Sequence, residues 1–308
     1  MAIHSIFVVC DDIEALPELC LGAKSLGETV TAIIFGDDAT AKATPCGADS
    51  IRYCPVSDEC LPEDWTVAIA DEIKKVSSAV VLVNNSIRGR CLAGKLGVHL
   101  DTAVLTNAAD FVVEEDRLIC SRMVYGGTAH SKYVFTKPYS VLTVGGGAFE
   151  VNITPSVCTD IAPLNGSPSA SSIKRIALQE KKSTSVNLAV AKRIVDVGRG
   201  LAKEDDLDMC RQLASVLGAE VGCSRPVAEN NKWLPKNCYM GITGVQVKPD
   251  VIIVLGVSGQ VQHIGGINKS RIIVAINKDK AAPIFKNADF GVVGDMYKIV
   301  PALIEKLS

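Results

Sequence analysis

Runs of apolar, mostly β-branched residues alternate with helical patterns in the N-terminal part of the chain. The runs are IHSIFVVC from Ile3, VTAIIFG from Val30 and SSAVVLVNN from Ser77. Between and after them lie helical patterns at residues 14–26 and in the amphipathic segment RGRCLAGKLGVHL from Arg88. This alternation predicts parallel strands that are joined by crossover helices.

The rhythm changes between Asp110 and Val144, where strand patterns follow one another without helices. The segments DFVVEEDRLICSRMVYGG and KYVFTKPYSVLTV carry turn signals at Asp116 and at Gly126-Gly127. Strands joined by short turns are typical of antiparallel pairing. We therefore expect antiparallel strands appended to the N-terminal α/β domain.

Periodicity fades in residues 151–185, where Pro, Ser, Gly and Asn accumulate, and then the α/β rhythm resumes. The first segment predicts an inter-domain linker and the second a further doubly wound domain. The predicted fold class is α/β, with two doubly wound parallel-sheet domains. Their bounds are residues 1–150 and residues 186–308, with the linker at 151–185.

Length and composition agree with this plan, since 308 residues exceed one typical core. The 48% hydrophobic residues, 21% charged residues and net charge of −2 indicate an ordinary globular protein without the basic excess of a nucleic-acid binder. No apolar run reaches the roughly 20 residues of a membrane-spanning helix, and the segment MAIHSIFVVCDD has no basic region followed by a small-residue cleavage site. We expect no membrane insertion and a cytoplasmic location.

The 11 cysteines form no metal or redox motif. Cys54 and Cys60 are close in sequence but do not make a CxxC pair, and no histidine lies near either. We expect reduced, buried thiols.

Four apolar strands of the second domain each run into a Gly-rich or polar turn, namely VGRG, GVSGQ, AINKD and VVGD. Such turns share the carboxyl edge of a parallel sheet, where a ligand can lie. Gly256 and Gly259 would allow close backbone approach, Ser258 could cap the short helix after it, and exposed N–H groups there suit a phosphate. Asn277 and Asp279 could contact a ribose or an adenine edge.

The familiar nucleotide and hydrolase motifs are missing: the chain has no GxGxxG after a strand, no P-loop spacing, no HExxH and no GxSxG. Hydrolysis is therefore not favoured. His4 and His99 fit surface or core positions, whereas His263 follows an apolar strand and is the histidine best placed to contact a ligand.

The block GVSGQVQHIGGINKSRIIVAINKDKAAPIFKNADFGVVGD from Gly256 resembles the FAD-binding domain of electron transfer flavoprotein α subunits. VGRGL at Val197 and VGCSRPVAE at Val221 extend the resemblance over residues 193–307, and RGRCLAGKLG and RMVYGG carry it into the first domain. The segments SRPVAE and KWLPK are similar to those of the FixB-like bacterial branch of the family.

The resemblance implies that FAD lies across the crevice, with His263 near the pyrimidine end of the isoalloxazine, Gln262 by the ribityl chain, and Arg225 and Thr243 near the redox-active ring. The implied contacts are Arg199, Ser224, Arg225, Met240, Gly241, Ile242, Thr243, Ser258, Gly259, Gln260, Val261, Gln262, His263, Asn277, Asp279, Asp295 and Met296. The family commonly has GQTG where this chain has Gly241-Ile242-Thr243-Gly244, which places a side-chain contact at Ile242 in doubt. Asp279 and Asp295 also fit N-caps of the following helices, and Ser224-Arg225-Pro226 also fits a cap and turn.

The same resemblance implies an electron carrier that does no bond chemistry and catalyses no reaction itself. It implies a FixA-like β subunit packed beside the first domain, and an acyl-CoA dehydrogenase or reductase type partner in acyl-CoA or carnitine-type metabolism. The alternatives are an enzyme that binds NAD or another adenine nucleotide in the crevice, and a non-catalytic nucleotide-binding module. Whether the pair bifurcates electrons stays open.

A flavin that gains an electron concentrates negative charge at N1 and at the C2 carbonyl, so a protonated His263 and Arg225 nearby would favour reduction. A charge-assisted hydrogen bond of about 1.5–3 kcal/mol corresponds to roughly 60–130 mV for one electron. We expect His263→Ala to lower the first reduction potential by that amount.

Overall fold

The computed structural model describes residues 3–115, 117–125, 129–149, 153–170, 173–177 and 187–307. The chain divides into two compact units, the first formed by Met1–Met123 and His130–Lys181, the second by Val124–Ala129 and Lys182–Ser308. These described residues form one nine-stranded sheet and one five-stranded sheet. The α/β class is therefore confirmed, with a larger sheet that is mostly parallel and a second sheet that is parallel throughout. The predicted turns at Asp116 and Gly126-Gly127 lie outside the described residues.

The larger sheet has the order β7-β6-β5-β8-β4-β1-β2-β3-β9. Its strands are β1 (Ile3–Cys10), β2 (Gly27–Phe35), β3 (Ser50–Cys54), β4 (Ala79–Asn84), β5 (Val104–Glu114), β6 (Arg117–Val124), β7 (Ala129–Val134), β8 (Tyr139–Val144) and β9 (Asp160–Pro163).

Helices of the first unit connect the parallel strands. They are α1 (Leu16–Lys24), α2 (Asp38–Ala43), α3 (Thr66–Ile73) and α4 (Ile87–His99). Alternate residues of a strand face opposite sides of the sheet, and β1 shows this: Ile6 and Val8 belong to one buried cluster, Phe7 and Val9 to another. The central strands are thus covered on both faces, which is why they read as continuous apolar runs.

The antiparallel prediction for residues 110–144 is right for β5 and β6 and wrong for β8. β5 and β6 pair antiparallel, whereas β8 pairs parallel with both β4 and β5. The burial of the two strands that follow β6 gives the reason. β7 alternates between half-buried and exposed positions, whereas every residue of β8 after Tyr139 is buried, as in a central parallel strand.

Residues 151–185 were expected to be a linker, but β9 lies within them. It pairs parallel with β3 from Ser50↔Asp160 to Tyr53↔Pro163 and forms the sheet edge. Arg52 donates to both carboxylate oxygens of Asp160 at 3.1 Å, so a side-chain pair supports the backbone pairing. A strand of 4 residues that ends in proline gives too weak a pattern to be recognised in sequence.

The second sheet has the order β11-β10-β12-β13-β14, with all pairings parallel. Its elements are β10 (Arg193–Val197), α5 (Leu207–Leu217), β11 (Glu220–Cys223), β12 (Val251–Leu255), α6 (Val261–Ile267), β13 (Ile273–Asn277), β14 (Phe290–Val293) and α7 (Met296–Leu307). The chain order reverses between β10 and β12, because β11 lies on one side of β10 and β12 on the other. Such a switch point is where open α/β sheets bind ligands, outside the carboxyl ends of the strands.

All 11 cysteines are free, and nine of them are buried as predicted; Cys60 is half-buried and Cys91 is exposed. None of the helices in the described part of the chain combines the length and the apolar character that crossing a membrane requires.

Candidate functional site

Two glycine-bearing loops meet at the switch point of the second sheet. The N–H of Gly200, after β10, donates to the carbonyl of Gly256, after β12, over 2.9 Å. A Cβ on Gly198 would lie 2.4 Å from the Gly256 oxygen, and one on Gly200 would lie 2.6 Å from the Gly256 Cα. Only glycine leaves room for this contact, so the two loops form one backbone surface.

The segment after Gly256 presents a row of backbone N–H groups that have no acceptor among the described residues. The N–H groups of residues 258–262 donate to no other residue that the structure describes. Gly259 has φ 86°, and its Cβ would lie 2.2 Å from the Ile284 nitrogen. The predicted cap at Ser258 is wrong, because Gln260 is the N-cap of α6 and no side chain caps this helix. The free donors therefore remain available to an anionic ligand.

The loop at Met240–Gly244 packs against α6. The N–H of Ile242 donates to the Gln262 carbonyl over 2.8 Å, and a Cβ on Gly266 would lie 2.3 Å from the Gly241 nitrogen. Thr243 is exposed, and its hydroxyl hydrogen-bonds the Tyr239 hydroxyl. The Thr243 side chain is therefore held by the Tyr239 phenol, a contact that the sequence had not indicated.

His263 lies in the first turn of α6 and is only 8% exposed. Its Nε2 is 2.6 Å from Oδ2 of Asp196, and its Nδ1 is 3.1 Å from the carbonyl oxygen of Met240. Burial disfavours the charged ring, but the Asp196 charge and the two hydrogen bonds outweigh it, so the pKa of His263 is raised. Both ring nitrogens are thus engaged by the protein, which the sequence reading did not foresee.

Arg225 and Ser224 follow β11. Ser224 is buried, and its N–H donates to the Val197 carbonyl over 2.9 Å, while its own carbonyl accepts from Val227 at 3.0 Å. Nε of Arg225 donates to Glu229 over 2.6 Å, and that hydrogen bond raises the pKa of the guanidinium. Ser224-Arg225-Pro226 therefore does open a turn, into a single π-helical turn at Pro226–Asn230. The positive charge of Arg225 is partly offset by its neighbour.

Asn277 ends β13 and braces the neighbouring loop. Its amide donates to the Val257 carbonyl over 2.8 Å, and its oxygen accepts the Asp279 N–H over 3.0 Å. Asp279 in turn accepts the Ala281 N–H over 2.9 Å. The Asn277 amide thus serves the loop itself, and its reading of an adenine edge stays a prediction.

Asp295 precedes α7 and accepts the Tyr297 N–H over 3.0 Å, as an N-cap does. Met296 and Met240 have buried side chains within the core of the unit. Any contact of these two methionines with a cofactor would therefore come from their backbone atoms.

Exposure separates the predicted site residues into three groups. Exposed are Arg199, Arg225, Thr243, Ser258, Gln260, Val261, Gln262, Asp279 and Asp295; half-buried are Ile242 and Asn277; buried are Ser224, Met240, Gly241, Gly259, His263 and Met296. The four predicted turns, after β10, β12, β13 and β14, follow the carboxyl ends of parallel strands and so lie along one sheet edge, as predicted.

Two residues of the site escaped the sequence reading. Tyr239 gave no signal, because a tyrosine beside a loop is common. Asp196 did give one: it is the acidic residue of the otherwise apolar strand interior IVDV, and buried carboxylates are rare unless they are paired.

Comparison with known proteins identifies this arrangement. Residues 187–268 match the family model described as the electron transfer flavoprotein FAD-binding domain, and residues 17–177 match that described as the electron transfer flavoprotein domain. The chain belongs to the electron transfer flavoprotein α-subunit family. It is 38% identical over 307 residues to Protein FixB of Salmonella typhimurium strain LT2, covering 99% of this chain and 98% of that protein. It is 39% identical over 306 residues to Protein FixB of Escherichia coli O81 strain ED1a, covering 98% of each chain.

Membership in this family decides between the alternatives left open by the sequence. An electron transfer flavoprotein α subunit is an electron carrier and not a catalytic enzyme, its second domain binds FAD, and it pairs with a β subunit. The family match of the FAD-binding domain ends at residue 268, so Asn277, Asp279, Asp295 and Met296 lie beyond it.

Proposed function

We propose that FAD lies along the carboxyl edge of the second sheet, across the β10/β12 switch point, and contacts the residues named from the sequence. The contact between Gly200 and Gly256 carries this proposal, because it leaves backbone atoms at the switch point where side chains would otherwise stand. The unpaired N–H groups of residues 258–262 suit the pyrophosphate.

The two ends of the cofactor follow from the chemistry beside this surface. The flavin would lie toward His263, Thr243 and Arg225, and the ADP half toward Asn277 and Asp279. FAD supplies reversible one- and two-electron chemistry when bound. The protein's part is to hold the ring, exclude water from it and fix the protons and charges around it.

Titration of the flavin-free protein with FAD tests this placement. We expect two visible bands, one FAD per chain, and competition by AMP but not by the nicotinamide half of NAD. Gly259→Ala should weaken FAD uptake, because a Cβ would strike Ile284, whereas Gly94→Ala, on an open helix face, should leave it unchanged. A protein that stays colourless, or that loses FAD to equimolar NAD, contradicts the placement.

We propose further that the first unit packs beside a FixA-like β subunit. Helix α4 exposes Ile87 by 84% and Val98 by 78%, and such apolar exposure favours a covered surface. Ile87→Asp should reduce co-purification of the β subunit, whereas Val216→Asp, on α5, should not. Equal recovery of the partner with both variants would exclude this helix.

We propose an acyl-CoA dehydrogenase or reductase type partner, in acyl-CoA or carnitine-type metabolism, as donor or acceptor. The eleven free thiols favour a reducing compartment, the cytoplasm. The number of flavins per heterodimer distinguishes a simple electron shuttle from an electron-bifurcating pair: one FAD indicates a shuttle, and two flavins indicate bifurcation. Reduction of the purified pair by a dehydrogenase and its acyl-CoA, compared with NADH alone, identifies the donor class.

A further inference from the structure

Asp196 is the most deeply buried acid of the second unit, with 0% of its surface exposed. It stands in β10, between Gly222 of β11 and Val254 of β12 in the sheet register. Oδ2 faces His263 at 2.6 Å, while Oδ1 is buried without a hydrogen-bond partner among the residues that the structure describes. A buried carboxylate with only one hydrogen-bonded oxygen lowers stability, so its presence in the core requires a physical explanation.

The hydrogen-bond partners of His263 determine how many protons its ring carries. The Met240 carbonyl can only accept, so Nδ1, 3.1 Å away, carries a proton. Nε2 and Oδ2 of Asp196 are 2.6 Å apart, a distance that requires a proton between them. The pair therefore holds two protons, and as imidazolium beside carboxylate it is neutral overall.

Other ionisable groups on the elements that pack against His263 do not change the charge of the pair. Cys223 at the end of β11 and Cys238 before the Met240 loop are buried, and burial raises the pKa of both thiols, so both are uncharged. The phenol of Tyr239 is bonded to Thr243, and Arg225 is paired with Glu229. On β12 the neighbour in register is the apolar Val254.

We propose that Asp196 is a positioning residue of the flavin site: it holds His263 doubly protonated, so that the cofactor meets a fixed, neutral proton-bearing pair rather than an isolated cation. This inference rests on the proposed position of FAD beside His263. Asp196 would act on the flavin through the histidine. The flavin would then lie beside a pair without net charge, and not beside the single positive charge expected from a protonated His263.

The charge of the pair gives the inference a distinctive pH signature. In the wild type the pair stays neutral through the pH range in which a histidine ordinarily titrates, about pH 6.5. In Asp196→Asn the amide is neutral at every pH, so His263 carries a net positive charge at low pH and none at high pH. The first reduction potential of Asp196→Asn should therefore exceed that of the wild type at low pH and converge on it as pH rises.

A measurement without flavin tests the pair itself. ¹⁵N NMR of the flavin-free protein should show His263 with both ring nitrogens protonated at pH values above about 6.5, the ordinary histidine value, and the loss of one proton at lower pH in Asp196→Asn. His263→Gln assigns the signal among the four histidines. Asp279→Asn, an exposed neighbour on the next loop, should leave the signal unchanged.

The outcomes separate the inference from the flavin placement. A wild-type His263 that has lost a ring proton by about pH 6.5 overturns the inference, and this arm needs no variant to fold. The expected NMR shift together with a converging difference in potential supports it. The NMR shift with identical potentials supports the pair and contradicts the position of FAD beside His263. A pH-independent offset in potential overturns the positioning role, because a purely structural disturbance would not follow the proton.

Discussion

Gly200 and Gly256 lie backbone against backbone, with the Gly200 N–H donating to the Gly256 carbonyl over 2.9 Å. The contact joins the loops that follow β10 and β12, the two strands at which the sheet order reverses. It thereby joins the two loops into one backbone surface, on which the proposed FAD site depends.

Gly256→Ala should destabilise the protein and weaken FAD binding. Gly256 has φ 61°, and its Cβ would lie 2.7 Å from the Gly200 Cα, so the substitution adds backbone strain and a clash. Such strain costs of order 1–3 kcal/mol. Urea unfolding and FAD titration measure the two effects. The matched control is Gly94→Ala, in the middle of α4 with no atom within 4 Å of the new Cβ, which should stabilise by roughly 0.5–1 kcal/mol. Equal stabilities for both variants would contradict the contact.

Asn277→Ala should weaken FAD binding through the loop rather than through a lost ligand contact. The side chain braces Val257 at 2.8 Å, and loss of a part-buried hydrogen bond costs about 0.5–1.5 kcal/mol. We expect a lower unfolding free energy already in the flavin-free protein. The control is Asn287→Ala, whose amide makes a comparable bond to Pro283 on the surface. If Asn277→Ala lowers only the FAD affinity, then the asparagine is a direct ligand instead.

Asp295→Ala should remove the cap of α7. Loss of an N-cap costs about 0.5–2 kcal/mol, and Asp295→Ser should recover most of it because serine is also a good cap. Thermal unfolding of the flavin-free variants measures the cap alone. A cofactor contact would show separately, as a loss of FAD affinity that serine does not restore.

His263→Ala should destabilise the protein more than Asp196→Asn does. The substitution leaves the Asp196 carboxylate buried without its partner, and breaking a buried pair in this way costs about 3–5 kcal/mol. The expected fall in reduction potential then includes the effect of that uncompensated negative charge, and it should be smaller in the double variant Asp196→Asn/His263→Ala. Additive effects of the two substitutions on unfolding would contradict the pairing.

Wild-type stability should depend on pH through the same pair. The pKa of His263 is raised in the folded protein above the unfolded value of about 6.5, because the Asp196 charge and hydrogen bonds outweigh burial. The stabilisation is then complete below about pH 6.5 and is lost as pH rises through the folded pKa. Urea unfolding between about pH 5.5 and about pH 8.5 should show the advantage of the wild type over Asp196→Asn shrinking with pH. An advantage that grows with pH would reverse the assigned direction.

The sequence by itself determined the α/β class, the two sheets, the edge at which the turns of the second sheet collect and, through family resemblance, the FAD-binding domain. These follow from local patterns: apolar runs of the right length, glycines after strands and a long ordered motif. The sequence pattern wrongly predicted an antiparallel β8 and did not reveal β9. The reason is that strand pairing depends on burial on both faces and on contacts with residues far away in the chain.

Only the tertiary structure decided what the site residues do to one another. In the folded chain, His263 is hydrogen-bonded to Asp196, 67 positions away in the sequence, and Asn277 to Val257, 20 positions away. The tertiary structure also paired Arg225 with Glu229 and Thr243 with Tyr239. A side chain's charge and protonation depend on such neighbours, and the folding of β10 beside β12 and α6, rather than the order of residues, brings them together.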